Sequence, residues 1–155
     1  MFVAVPGADK HGCKRGRRGQ SLVEFALIAP VLVMLLLGAT DLTRAFYYYV
    51  ILENSTREAA RVLVDYPYQY DDSIACAAAV REAQTYITLS CSGGSPTVTI
   101  SPAADLTASP PHRLPGRSPV TVTATTTFSP FSPLLQALVG NSLTLRASTT
   151  VLTWY

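Results

Sequence analysis

The sequence predicts an α+β fold: a long N-terminal helix whose first half is transmembrane, then a small external domain of a short helix and about three antiparallel strands. Two observations carry this expectation. An apolar run from Leu22 to Ala39 leads into residues 41–64, which hold no Pro or Gly and keep apolar residues mainly at three- and four-residue spacing. Further on, Val- and Thr-rich stretches at 97–101, 119–128 and 143–153 are separated by Pro- and Gly-bearing turns. The expected divisions are a basic leader at 1–19, the long helix at 20–65 with its span at 22–40, and the external domain at 66–155.

Composition narrows the class. Charged residues make up 14% of the 155 residues and apolar ones 48%, whereas an ordinary soluble domain carries about 25% charged residues. Such a chain is not a disordered charged tail. Its formal charge of +2 gives no support to a nucleic-acid partner.

The apolar excess is concentrated. LVEFALIAPVLVMLLLGA, residues 22–39, contains one charge, Glu24. At ~1.5 Å per residue it spans about 27 Å, close to the ~30 Å hydrocarbon core of a bilayer. A buried helix of a soluble protein seldom presents so long a run. Lys10, Lys14, Arg15, Arg17 and Arg18 precede it against one acid, Asp9, while the rest of the chain carries more acids than bases. The positive-inside rule then puts the N-terminus in the cytoplasm and the remainder outside. A cleaved secretory signal fits the basic region, and Gly38-Ala39 imitates the start of a cleavage site. The run is nevertheless too long for one, and Asp41 and the helical sequence beyond argue against cleavage there. The residues alone therefore describe a signal-anchor.

Glu24 is the anomaly in the run. A carboxylate at a helix centre in lipid costs roughly 2.5–3.5 kcal/mol on insertion scales. It lies only about 6–7 Å along the helix from Gln20, so reaching toward the headgroups relieves part of that. Either it rests there in the first turn, favoured by the helix dipole, or it pairs with a cation supplied by a neighbour. Pro30, within the run, removes a helix hydrogen bond and favours a local bend, although membrane helices tolerate proline.

The junction RRGQSLVEFALIAP, residues 17–30, resembles the prepilin processing signal of type IV pilins and pseudopilins. In that signal a membrane-embedded prepilin peptidase cuts on the cytoplasmic side after a Gly, and a Glu occupies the fifth mature position. Carried onto this chain, Gly19 is the last leader residue, Gln20 the new N-terminus and Glu24 the embedded carboxylate. Major pilins often begin with an N-methylated Phe or Met, whereas the processed form of this chain would begin with Gln20. The EF pair followed by ALIAP, with YYYVILENSTREAARVLVDY downstream, is similar to the TadE-like branch, whose members act in assembly of tight-adherence (Flp) pili. The resemblance covers residues 15–65, and VTVTATTTFSPFSPLL and LTLRASTTVL resemble that family's closing strands; residues 66–118 lie outside it. It implies a minor pseudopilin in the bacterial plasma (inner) membrane, with its C-terminal domain periplasmic or extracellular. The implied partners are the prepilin peptidase, other pilins and pseudopilins, the pilus assembly membrane platform with its ATPase, and membrane lipid. It also implies that Glu24 pairs with the free α-ammonium of a neighbouring subunit. The alternatives are an unprocessed single-pass envelope protein whose external domain binds a ligand or surface, and a pseudopilin of type II secretion.

Past the run, Leu42, Ala45, Phe46, Tyr49, Leu52, Thr56, Ala59, Ala60, Leu63 and Val64 form a stripe expected to pack on the external domain. Glu53 and Arg57 are an i,i+4 pair in the favourable order. Tyr47, Tyr48 and Tyr49 suit either the membrane–water interface or ordinary packing. Asp65-Tyr66-Pro67 ends the helix. Asp71, Asp72 and Ser73 offer N-cap oxygens for a second helix at about 73–88, with Cys76, Val80, Ala83 and Ile87 on one face. Gly93, Gly94 and Pro96 close that region. Residues 102–118 read as an exposed Pro-rich loop, and a short helix is expected at about 132–139 before a Gly-Asn stop.

Of three cysteines, Cys13 lies in the leader. Cys76 and Cys91 fall on the external side, where disulfides persist, and are expected to bridge; two buried thiols are the alternative. Two cysteines without a nearby histidine do not complete a tetrahedral metal set, so no metal or other cofactor is expected. His11 and His112 lack the surroundings of a catalytic triad, and no phosphate loop or dinucleotide fingerprint is present. The expectation is a structural protein, not an enzyme.

Overall fold

The computed structural model describes residues 17–65, 70–109, 111 and 119–152. The element order is α1 (Arg17–Val64), α2 (Asp72–Ala83), β1 (Thr97–Ser101), β2 (Pro119–Phe128), α3 (Pro133–Val139) and β3 (Leu143–Leu152). This is the expected α+β arrangement. The leader through Gly16, with His11 and Cys13, falls outside the described residues, as do Tyr66-Pro67 and His112 with the end of the Pro-rich loop.

The 48 residues of α1 extend about 70 Å at ~1.5 Å per residue. The helix starts three residues before the expected Gln20 and runs unbroken through Pro30. Its first part is long and apolar enough to cross a membrane. Its last part is the spine of the folded domain, where Ile51, Leu52, Ala59, Ala60 and Leu63 enter the core.

The antiparallel sheet has the order β1-β2-β3. Alternation along β2 places Val120, Val122 and Ala124 in the core and intervening threonines on the other face. There Thr121 and Thr150, a cross-strand pair, bring their hydroxyls to 2.8 Å. Helix α2 packs on α1 through small residues: Ala75, Ala79 and Ala83 are buried at four-residue spacing. Two fully buried hydroxyls on α1 are satisfied. Ser55 donates to the Ile51 carbonyl at 2.8 Å. Thr56 donates to the Glu53 carbonyl at 2.9 Å, which leaves the Thr149 hydroxyl, also at 2.9 Å, as donor to Thr56.

Helix α2 stops at Ala83, well short of the expected end near Thr88. Gln84, Thr85 and Tyr86 form a turn, and the amides of Tyr86 and Ile87 both donate to the Ala83 carbonyl at 2.9 Å. Thr85, Ile87 and Thr88 are β-branched and poor at extending a helix. Ile87 is buried nonetheless, from the extended segment after the turn. Asp71 caps α2, accepting the amides of Ser73 and Ile74 at 3.1 and 3.0 Å. Asp72 accepts the Ala104 amide at 3.0 Å and so ties the loop after β1 to the start of α2. Cys76 and Cys91 form a disulfide, with Cα atoms 6.0 Å apart. It joins α2 to the segment before β1.

Candidate functional site: the unpartnered half of the long helix

From Leu22 to Leu37 the large apolar side chains of α1 are exposed, and no residue in the most apolar window of the helix is buried by the rest of the described chain. So much bare apolar surface marks a site of interaction with a membrane or with other protein. Glu24 is exposed on the same stretch, one helical turn after Gln20. Gly19 lies within the helix, and a Cβ built on it meets no atom within 4 Å. Folding of this chain therefore does not demand glycine at that position.

The bare surface continues past the apolar run. Leu42, Phe46 and Tyr49, expected to pack on the domain, are exposed; only the later members of that stripe, Leu52, Thr56, Ala59, Ala60 and Leu63, are buried. The sheet does not reach so far down the helix: β2 ends at Phe128, whose ring meets Tyr48 edge-on at 5.9 Å. Tyr47 makes a similar contact with Tyr86 at 5.0 Å. Two of the three tyrosines thus pack against the domain, while Tyr49 faces outward.

Between bare helix and domain lies a cluster that sequence reasoning missed. Asp41, 1% exposed, accepts the backbone amide of Phe131 at 2.9 and 3.0 Å and that of Ser132 at 2.6 Å. Arg44 sits 3.3 Å from the Asp41 carboxylate. Its guanidinium lies over the rings of Phe131 and Phe128, 4.1 and 5.3 Å from their centroids. Burial raises the Asp41 pKa, but the bonds from Ser132 and Phe131 and the Arg44 charge more than offset it, holding the carboxyl below its ordinary range. Read in sequence, Asp41 only marks the end of the apolar run. The available signal was a Ser-Pro pair at 132–133 that starts a short helix, but nothing local joins it to Asp41.

Other charges serve local structure. Glu53 pairs with Arg57 as expected, and Arg61 binds Glu58 at 2.8 Å, lowering the Glu58 pKa. Among the described residues, no group of three or more His, Cys, Asp or Glu side chains is placed to hold a metal ion.

Residues 19–61 match the family model described as TadE-like protein. The matched stretch begins at Gly19, contains Glu24 and Asp41, and takes in most of α1. No curated protein and no solved structure matches the chain.

Proposed function

We propose that the chain is a TadE-like minor pseudopilin, a membrane-anchored structural component in assembly of a type IVb (Flp, tight-adherence) pilus. The observation that supports this most is the pairing of a bare apolar helix with Glu24 five positions after a glycine the fold does not need, all inside the matched segment 19–61. In this reading residues 22–40 anchor the protein in the bacterial plasma (inner) membrane. The basic leader is cytoplasmic and the folded domain lies in the periplasm or outside the cell. A prepilin peptidase cuts after Gly19 and frees the amino group of Gln20.

The physical logic follows from the exposed helix. Helix packing in a bilayer exchanges lipid contacts for side-chain contacts of similar character, so an apolar rod can pass from lipid into a helical assembly. Glu24 then needs a cation, because an uncompensated carboxylate in an apolar setting is costly. The new α-ammonium of a neighbouring copy or another pilin supplies one and fixes the register. The domain, closed by its own core and by the Cys76–Cys91 bridge, stays folded outside while the anchor changes surroundings. Other pilins and pseudopilins, together with the assembly platform, are the partners in this reading.

Mass spectrometry of the membrane-extracted protein, expressed with and without a prepilin peptidase, tests it. A chain starting at Gln20 only when the peptidase is present is the expected result. A leader that stays attached in both cases overturns the reading in favour of an uncleaved envelope protein.

A further inference from the structure

We propose that the β2–β3 connection, residues 129–142 with α3 at its centre, is a second membrane contact: a foot seated in the outer boundary of the bilayer that α1 crosses. The inference rests on the reading of residues 22–40 as a span, and adds a lipid-binding site on the folded domain.

Position comes first. A groove of about 240 Å³ runs between α1 and α3, lined by Met34, Leu35, Gly38, Ala39, Leu42, Leu134 and Leu135. Met34 to Ala39 belong to the apolar run itself. Helix α3 therefore lies beside the last turns of the span rather than above them. The Asp41 bonds to Phe131 and Ser132 hold it there.

The surface chemistry agrees with lipid. Helix α3 buries none of its side chains, and Phe131, Leu134, Leu138 and Val139 are exposed. No Asp, Glu, Lys or Arg occurs from Ser118 to Leu145. The carboxylate at this level, Asp41, is buried against amides and Arg44, and Arg44 is drawn over Phe131 and Phe128. Several polar backbone groups are served within the foot. The Leu135 amide donates to the Ser132 hydroxyl at 3.4 Å, the Gly140 amide to the Gln136 carbonyl at 2.9 Å, and the Gln136 side-chain amide to the Pro130 carbonyl at 2.8 Å. Internal satisfaction of this kind is what lipid demands of a segment that enters it. At seven residues, about 10 Å long, α3 is far too short to span and suits the interface. Continuity with the span selects lipid as the occupant of this face. One helix crossing leaves the domain free to swing about its axis, and a second contact fixes its tilt.

The test places an environment-sensitive thiol-reactive fluorophore at Leu138→Cys, Leu32→Cys or Thr107→Cys in the full chain carrying Cys13→Ser. The oxidised Cys76–Cys91 pair does not take the label. Leu138 is 79% exposed, so labelling there leaves the fold intact. Leu32 reports the span, and Thr107 lies on the loop that Ala104 ties to α2. Each protein is placed in phosphatidylcholine–phosphatidylglycerol vesicles with or without bromine on the acyl chains. The expected result is bromine-dependent loss of emission at positions 32 and 138 and none at 107. Loss at 32 with none at 138 overturns the foot and leaves the span standing. No loss at 32 overturns both. Blue-shifted emission at 138 without bromine quenching places protein rather than lipid over the face, and overturns the lipid assignment.

Discussion

The Asp41 carboxylate accepts the backbone amide of Ser132 at 2.6 Å, joining residues 91 positions apart at the point where the bare helix meets the folded domain. The same carboxylate takes the Phe131 amide through both oxygens, so one side chain fixes the entry to α3. Asp41→Ala leaves these amides without their acceptor, and burying unpaired amides is unfavourable. Hydrogen exchange in the 130–139 segment is expected to rise strongly in Asp41→Ala and less in Asp41→Asn, which keeps one acceptor oxygen. Exchange in β2 and α2 should change little. Unaltered protection at 130–139 in Asp41→Ala contradicts the anchoring role.

Acid should loosen two places first. Asp71 is held below the ordinary carboxylate range, chiefly by the Ser73 hydroxyl and then by the Ile74 amide. Asp41 is also lowered, against its burial. A carboxyl whose pKa is depressed by folding contributes stability that is present above its unfolded value, ~3.9, and lost as pH falls through the folded value. The protein should therefore be insensitive to pH near neutrality and destabilised below about pH 4. Asp71→Ala should cost about 1 kcal/mol at neutral pH, the usual value of an N-cap, and flatten the acid limb of the stability curve. Denaturant titrations between neutral pH and the acid range measure both effects.

The disulfide closes a sequence separation of 15 residues. The chain-entropy estimate for such a loop is roughly 3 kcal/mol. Cys76→Ser with Cys91→Ser, or reduction of the native chain, should lower unfolding stability by about that much. Because Cys76 lies in the core and Cys91 precedes β1, the α2–β1 junction should be the first part to lose exchange protection. Equal stability of oxidised and reduced protein counts against a stabilising bridge.

Much of this fold is legible locally. Strands at 97–101 and 119–128 carry their Val and Thr alternation openly, and α1 is announced by the absence of Pro and Gly after Gly38. What sequence hides is how far the domain reaches along that helix. Leu42 and Phe46 have the spacing of core residues, yet the sheet ends at Phe128, beside Tyr48, and leaves them bare. Asp41 looks like an ordinary polar stop because its partners come from a distant connection. Thr56 looks like a weak member of an apolar stripe until β3 brings Thr149 to its hydroxyl. The features at Gly19 and Glu24 are legible by family pattern, since both lie on the bare part of α1, away from the packed domain.

Gly19 offers a clean separation of folding from processing. Its Cβ position is open space and its backbone is helical, so Gly19→Leu should leave the domain's thermal unfolding unchanged. The same change should block removal of the leader, read by the intact mass of the membrane-extracted chain. Normal trimming in Gly19→Leu contradicts the proposed cut.

Glu24 should matter after cleavage and not before it. The carboxylate is exposed on the apolar stretch of α1; in the proposed anchor Glu24→Ala removes a charge that disfavours insertion, and anchoring should be at least as firm. Cleavage after Gly19 should proceed, because the cut lies a turn away. Assembly should weaken, since the α-ammonium of the neighbour then enters an apolar setting without a counter-charge. Glu24→Gln should fail as well, since it keeps the size and loses the charge, whereas Glu24→Asp should recover part of the function. Immunoblots of sheared pili, alongside N-terminal masses of the same variants, separate the two steps. Full piliation in Glu24→Ala and Glu24→Gln removes the charge pairing from the mechanism and leaves apolar packing as the driving interaction.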